Sequence, residues 1–319
     1  MKYCVGCELE KTDSELIDGK CPLHSNRELE IREEENYFFK FSNYAKPLLA
    51  LYAAEPNLDD EHVMYVWFDA LVNYISAIGW PDDMAKFEKW WPVIQYCGKD
   101  NNRQQSAMWQ AMLLSAKLPP TKHIIIDGFI MSGGQKMSKS LGNVISPVDV
   151  IEFFKPHALF PEDVLRFVLL HDVPSFEDGD LTMESIRLSY ATSLQNGIGN
   201  LVNRIMKMAT THLDGPVDIP KMNHSNSIDE AFAVFDIKRA LEHVMAAARE
   251  LDGYIQETAP FKVVKVNKED GEVLIVEMVE RLHRIATLLL PFIPHTAEEI
   301  LRLIREHEMP EKPLFNRLP

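Results

Sequence analysis

The sequence predicts an α/β unit followed by an α unit: an incomplete doubly wound parallel sheet with a metal knuckle near the N-terminus, then a helical bundle. Three observations carry this. Two short apolar runs closed by Gly bracket a helical stretch between residues 93 and 128; strand signal nearly vanishes after Pro147; and Cys4-x2-Cys7-x13-Cys21-x2-His24 gathers four soft ligands at the start of the chain. In order along the chain, the knuckle carries turn residues at Gly6 and Gly19, and the content of Tyr44–Ala54 suits a helix. From His62 to Ile78 the residues Trp67, Ala70, Leu71 and Tyr74 fall at i, i+3, i+4 and i+7, one helical face. Val93–Gly98 and His123–Gly128 read as buried parallel strands, with a helix over Ser106–Ala116 that stops before Pro119-Pro120. Strand, helix, strand is half of a doubly wound sheet.

Beyond Pro147 helical periods take over, apart from an expected short strand near Lys262–Val266. Apolar residues at 194, 198, 201, 205 and 208 step by fours and threes through Ile186–Leu213, as a packed bundle helix requires, and Ile228–Thr258 and Glu272–Leu290 continue the bundle.

Composition excludes several classes. With 319 residues, 46% of them hydrophobic, the chain is long enough for two or three packed units, and no apolar run approaches a membrane span. The expected location is cytoplasmic, since the N-terminus lacks the apolar core of a secretory signal. Four Cys are too sparse for a disulfide framework. A formal charge of -15 argues against a binder that grips nucleic-acid backbone by bulk charge alone, though not against a local basic surface.

Two signals carry chemistry. Three thiolates and an imidazole at Cys4, Cys7, Cys21 and His24 complete a closed tetrahedron around a structural Zn2+, whereas three reduced cysteines and a surface His would rarely fall into paired knuckles. Ligation would supply much of the folding energy of so small a segment. Ser132–Asn143 holds Lys136, Met137, Ser138, Lys139 and Ser140 among glycines, which suits a loop that closes over polyphosphate; an exposed polar turn would share that composition. Lysines placed where a leaving pyrophosphate gathers charge stabilise the transition state more than the ground state.

Lys136-Met137-Ser138-Lys139-Ser140 resembles the second signature of class I aminoacyl-tRNA synthetases. Tyr3–Glu8, Asn36–Phe39, Tyr65–Ala70, Gly98-Lys99-Asp100 and Gly199–Arg204 follow in the order found in the methionyl-tRNA synthetase family, through nearly the whole chain. The resemblance implies a methionine–tRNA ligase that uses ATP and Mg2+, with methionine and tRNA-Met as partners. It implies a methionine pocket of Trp67, Ala70, Leu71, Tyr74, Gln105 and Trp109, which suits a thioether read by shape and sulfur–aromatic contact; an ordinary amphipathic core helix would show the same spacing. Gln105 stands where the family often has His, and Asn101 where an aliphatic residue is common. ATP would be held by Asp100, Gly128, Lys136, Met137, Ser138, Lys139 and Ser140, with Lys136 and Lys139 catalytic. Asn200 and Arg204, with Phe261 in place of a family Trp, would read the anticodon; a solvated helix flank is the plainer reading of the first two.

The implied organisation is a connective-peptide remnant with the zinc knuckle (1–60), the second half of a Rossmann-like catalytic domain (61–150), a linker contacting the tRNA stem (151–184) and a helical anticodon-binding domain (185–319). The family's first signature, His-x-Gly-His, has no counterpart: no two of the eleven His are three residues apart. Three readings follow: a truncated or split ligase that needs a separate N-terminal catalytic half, a non-catalytic tRNA-binding module derived from one, and an unproductive relic with no selected function.

Overall fold

The computed structural model describes residues 2–4, 9–11, 16–21, 28–31, 66–137, 142–219 and 226–319, in two compact units, one formed by residues 1–126 with 140–142 and the other by 127–139 with 143–319. The helix expected over Tyr44–Ala54 lies outside the described residues, as do Cys7, His24, Ser138, Lys139 and Ser140.

In the first unit β1 (Lys2–Cys4) lies between β2 (Leu9–Lys11) and β3 (Glu30–Ile31), antiparallel to both, with Cys4 opposite Leu9. A two-residue turn, Asp18-Gly19, follows, both residues at positive φ and flanked by paired Ile17 and Lys20 backbones at 3.0 Å. The turn closes an isolated antiparallel bridge between Ile17 and Lys20, and Asp-Gly adopts this conformation readily.

The helix expected from His62 to Ile78 is described from Val66 as two short pieces, α1 (Val66–Ala70) and α2 (Asn73–Ser76), joined by a tightened turn in which Val72 N–H reaches Asp69 O at 3.1 Å. α3 (Met84–Trp90) starts at Asp83, whose carboxylate accepts from Lys86 N–H at 3.0 Å. β4 (Ile94–Gly98) leads through a 3₁₀ turn at Lys99–Asn101 into a π-helical stretch, Arg103–Trp109, and α4 (Gln110–Ser115), then β5 (His123–Asp127), hydrogen-bonded to β4. Leu71, Ile75, Phe87, Trp91, Trp109 and Leu113 form the core of these elements. β4 departs from the buried strand expected, because Ile94 and Tyr96 are exposed and the residue turned inward is Gln95.

In the second unit β6 (Ile130–Ser132) and β7 (Gln135–Lys136) form a hairpin over Gly133-Gly134, both at positive φ, and β8 (Gly179–Asp180) pairs parallel to β6. The helices follow: α5 (Pro147–Phe154), α6 (Pro161–His171), then α7 (Met183–Ser189), which continues through π-helical Tyr190–Gly199 into α8 (Asn200–His212). After these come α9 (Asn226–Ala233), α10 (Ile237–Thr258), α11 (Pro260–Val266), α12 (Lys268–Leu289) and α13 (Pro294–Glu306). Pro opens α5, α6, α11 and α13, where its missing N–H would be unpaired in any case. α8, α10, α12 and α13 share one apolar core with α5–α7, and Tyr190 at its centre donates to His157 O and Asn316 O at 2.7 and 2.8 Å. No helix among the described residues is long and apolar enough to cross a membrane.

The strand expected near Lys262–Val266 is instead the helix α11. Its valines favour strand by propensity, but Pro260 starts a helical turn and the packing of α11 on α12 outweighs propensity. Where α12 begins, a Cβ on Gly271 would lie 2.4 Å from Val264 Cα, so the approach requires glycine.

Candidate functional site

The π-helical turn at Arg103–Trp109 sets the site's geometry. Gln105 and Trp109 both point inward, 3% and 1% exposed. α2 presents Tyr74, whose ring lies 5.9 Å from that of Trp109 at 58°, and whose hydroxyl accepts from Gln105 Nε2 at 3.0 Å. Trp67 is half-buried and packs on the same core, whereas Leu71 is fully buried and serves as the floor beneath them. The structure thus assembles aromatic Trp67, Tyr74 and Trp109 with the amide of Gln105, and the indole N–H of Trp109 is buried without a hydrogen-bond partner. Such a wall of rings with few polar atoms fits an apolar, polarisable side chain.

Behind Gln105 lies a polar cluster that periodicity could not reveal. Gln95 Nε2 donates to Gln105 Oε1 at 3.3 Å, and Thr121 Oγ1 donates to Gln95 Oε1 at 2.6 Å. Gln110 Nε2 donates to Thr121 Oγ1 at 3.1 Å and to Gln105 O at 2.9 Å, and Thr121 N–H donates to Gln110 Oε1 at 3.0 Å. One signal was present in the sequence, a glutamine inside an otherwise apolar strand run. A cavity of about 520 Å3 is bordered by Trp109 together with Phe68, Val72, Ile75, Met108 and Met112.

Asp100 sits in the turn that follows β4 and is exposed. At Gly128 a Cβ would meet the backbone of Glu177 at 2.1 Å, so that close approach requires glycine. Beside it Phe129 N–H reaches Asp178 Oδ1 at 2.8 Å. Asp127, at the end of β5, has its carboxyl pushed above the usual carboxylate range by burial.

In the second unit the phosphate-loop candidates begin on the β6–β7 hairpin. Lys136 is exposed, its ammonium 4.3 Å from the Phe129 ring centroid, and Met137 is half-buried. Asp180 Oδ1 accepts from Gly134 N–H at 2.8 Å, and Asn143 Nδ2 donates to Lys136 O at 3.3 Å, so both ends of the lysine loop are anchored.

On α8, Asn200 is exposed and Arg204 is paired with Asp252 of α10, whose other oxygen accepts from Gln256 Nε2 at 2.8 Å. Beside them a cavity of about 380 Å3 is lined by Thr192, Asn196, Met245, Arg249 and Asp252. Phe261, on α11, is 44% exposed, with the Lys262 ammonium 5.9 Å from its ring centroid.

Cys4 and Cys21 are both buried, at 2% and 1% exposure, Cys4 closing β1 and Cys21 just after the Asp18-Gly19 turn. Among the described residues no three His, Cys, Asp or Glu side chains form a metal-sized group.

The fold and these motifs are those of a class I aminoacyl-tRNA synthetase, and a family model for tRNA synthetases class I (M) matches residues 51–206. The methionine–tRNA ligase of Clostridium acetobutylicum is 32% identical over 93% of this chain and 54% of its own length; that of Thermotoga maritima is 32% identical over 97% and 57%. The structure of Mycobacterium tuberculosis methionyl-tRNA synthetase in complex with methionyl-adenylate superposes with a TM-score of 0.71 at 27% identity, over 99% of this chain and 76% of that one. The chain belongs to the methionyl-tRNA synthetase family. It spans somewhat more than half the length of these two curated relatives.

Proposed function

We propose that this chain supplies the methionine pocket, the pyrophosphate loop and the anticodon-reading bundle of a methionine–tRNA ligase. The observation that supports the reading is the contact of Tyr74 with Trp109 and with the Gln105 amide, on a core that Trp67 also packs against, within a chain of this family. Methionine's thioether would be recognised there by shape and by contact with the rings. Its carboxylate attacks the α-phosphate of ATP, the α–β phosphoanhydride bond breaks, and pyrophosphate leaves; the methionyl group then passes to the terminal ribose of tRNA-Met with release of AMP. Mg2+ supplies charge neutralisation on the phosphates.

Lys136 and Lys139 hold the departing pyrophosphate. Lys136 leaves its place over Phe129 to do so, a small cost for an exposed cation–π contact, about 0.5–1 kcal/mol. Asp100 contributes to the nucleotide site. Asn200 and Arg204 read anticodon bases and Phe261 stacks on one, which requires Arg204 to exchange Asp252 for RNA.

The buried thiols of Cys4 and Cys21 fit a structural Zn2+ by donor chemistry, and Cys7 with His24 completes a closed set of four. Such a site shapes the knuckle and takes no part in the reaction.

The second reading, a tRNA-binding module without catalysis, draws on the lack of two His three residues apart. Methionine-dependent ATP–pyrophosphate exchange separates the two, run on the chain alone and with a separately supplied N-terminal half carrying His-x-Gly-His. Exchange on mixing is the expected result. In the mixture, substituting Lys136 and Lys139 together with Ala leaves methionine affinity nearly intact and collapses the exchange rate. Silence in both arms, with tRNA-Met still bound, selects the module.

A further inference from the structure

The polar cluster behind the pocket has a direction. A backbone N–H only donates and a backbone carbonyl only accepts, so Thr121 N–H and Gln105 O together fix which way the Gln110 amide faces. Its Nε2 then donates to Thr121 Oγ1, and the threonine proton goes to Gln95 Oε1, the short 2.6 Å contact. Gln95 consequently turns its Nε2 toward Gln105 Oε1, and Gln105 turns its own Nε2 toward the Tyr74 hydroxyl oxygen. Reversing Gln95 and Gln105 would face an amide donor to Thr121 Oγ1 and leave the threonine proton without an acceptor in the cluster. A buried polar group left unpaired is the costly outcome, and it selects one direction.

We propose that Thr121, Gln110 and Gln95 are positioning residues that hold Gln105 in a single amide orientation, so that Tyr74 always accepts from Gln105 and keeps its own proton for an acceptor atom on the pocket's occupant. The proposal rests on the methionine reading of this pocket and adds to it the residues that fix the direction of the Tyr74 proton. A thioether sulfur accepts weakly and a methylene does not, so a tyrosine held as donor favours methionine over its carbon isostere norleucine. None of the relay groups titrates. A His in place of Gln105 would change its donors across its titration range, about pH 5–8, whereas this relay holds its polarity throughout.

Thr121→Val on the full chain tests the relay, because it removes the hydroxyl and keeps the backbone anchor on Gln110. Amide-proton exchange of the Gln105 side chain, followed by NMR without ligand, is expected to quicken about five-fold, the weight of one net hydrogen bond; the Gln110 amide, which loses its own bond to Thr121 Oγ1, quickens with it, while backbone exchange across α4 stays unchanged. Thr121→Ser restores the slow rate. Quickening of the α4 backbone as well means general loosening and overturns the relay, as does no change at Gln105. If the valine variant does not fold, Gln95→Met breaks the same chain and is read in the same way.

Methionine and norleucine affinities form the second arm. Thr121→Val is expected to reduce the preference for methionine about five-fold with norleucine affinity held, again one net hydrogen bond. A preference that survives Thr121→Val overturns the donor role of Tyr74. If the unaltered chain binds neither amino acid, the methionine reading fails by itself, and the exchange arm still decides the relay.

Discussion

Gly271 and His283, both on α12, show how single residues set this bundle's tolerance. Alanine at a helical glycine usually gains about 1 kcal/mol from propensity. Here its Cβ would lie 2.4 Å from Val264 Cα and 2.6 Å from Val264 N, atoms that cannot rotate aside. Forced overpacking costs about 1–3 kcal/mol, so Gly271→Ala is expected to destabilise, seen as a lower urea midpoint. His283 presents a buried Nδ1 with no hydrogen-bond partner, and burial lowers its pKa below 6.5. The unfolded chain therefore takes up this proton more readily than the folded one. The stabilising contribution is complete above pH 6.5 and is lost as pH falls through the lower folded value. Chemical denaturation as a function of pH is expected to show an acid limb there that flattens in His283→Gln.

Among the elements, the β6–β7 hairpin shapes the base of the lysine loop. Gly133 and Gly134 sit at φ of 63° and 71°, and a side chain at either meets nothing within 4 Å. The penalty for replacing them is thus conformational only, about 1–2 kcal/mol for alanine in the left-handed region. Gly133→Ala is expected to cost that amount in equilibrium unfolding and Gly133→Asn a fraction of it, since Asn tolerates this conformation. α13 depends instead on a distant residue. Asp163, fully buried on α6, accepts from Thr296 N–H at 2.6 Å, near the start of α13. Asp163→Ala strands that buried N–H, and a loss of about 1–3 kcal/mol in denaturant titration is expected. The mismatch at α11 belongs to this scale as well. Residues 262–266 look like a strand to any local rule, and only contact with α12 makes them helical.

For the whole molecule, the division into two units predicts that removing a metal from the proposed Cys4–Cys21 site acts locally. Treatment with a chelator is expected to loosen the Cys4–Cys21 knuckle while the far-UV helical signal, dominated by residues 147–306, holds its thermal midpoint. Cys21→Ser is expected to abolish bound zinc; retained stoichiometry would exclude Cys21 as a ligand.

Much of this organisation was legible in the chain. Strand, helix and strand over 93–128 and the long periods of the bundle rest on patterns among near neighbours, which local physics reads well. The family motifs were contiguous for the same reason. What was not legible depended on atoms brought together from far apart. Gln105 meets Tyr74 across 31 positions, Thr121 meets Gln95 across 26, and Gly128 lies against the backbone of Glu177. By itself the sequence determined the class of protein, most of the order of its elements and the candidate residues for its chemistry. Only the tertiary structure decided which way the pocket's hydrogen bonds run, because donor direction is set by backbone groups that periodicity does not see.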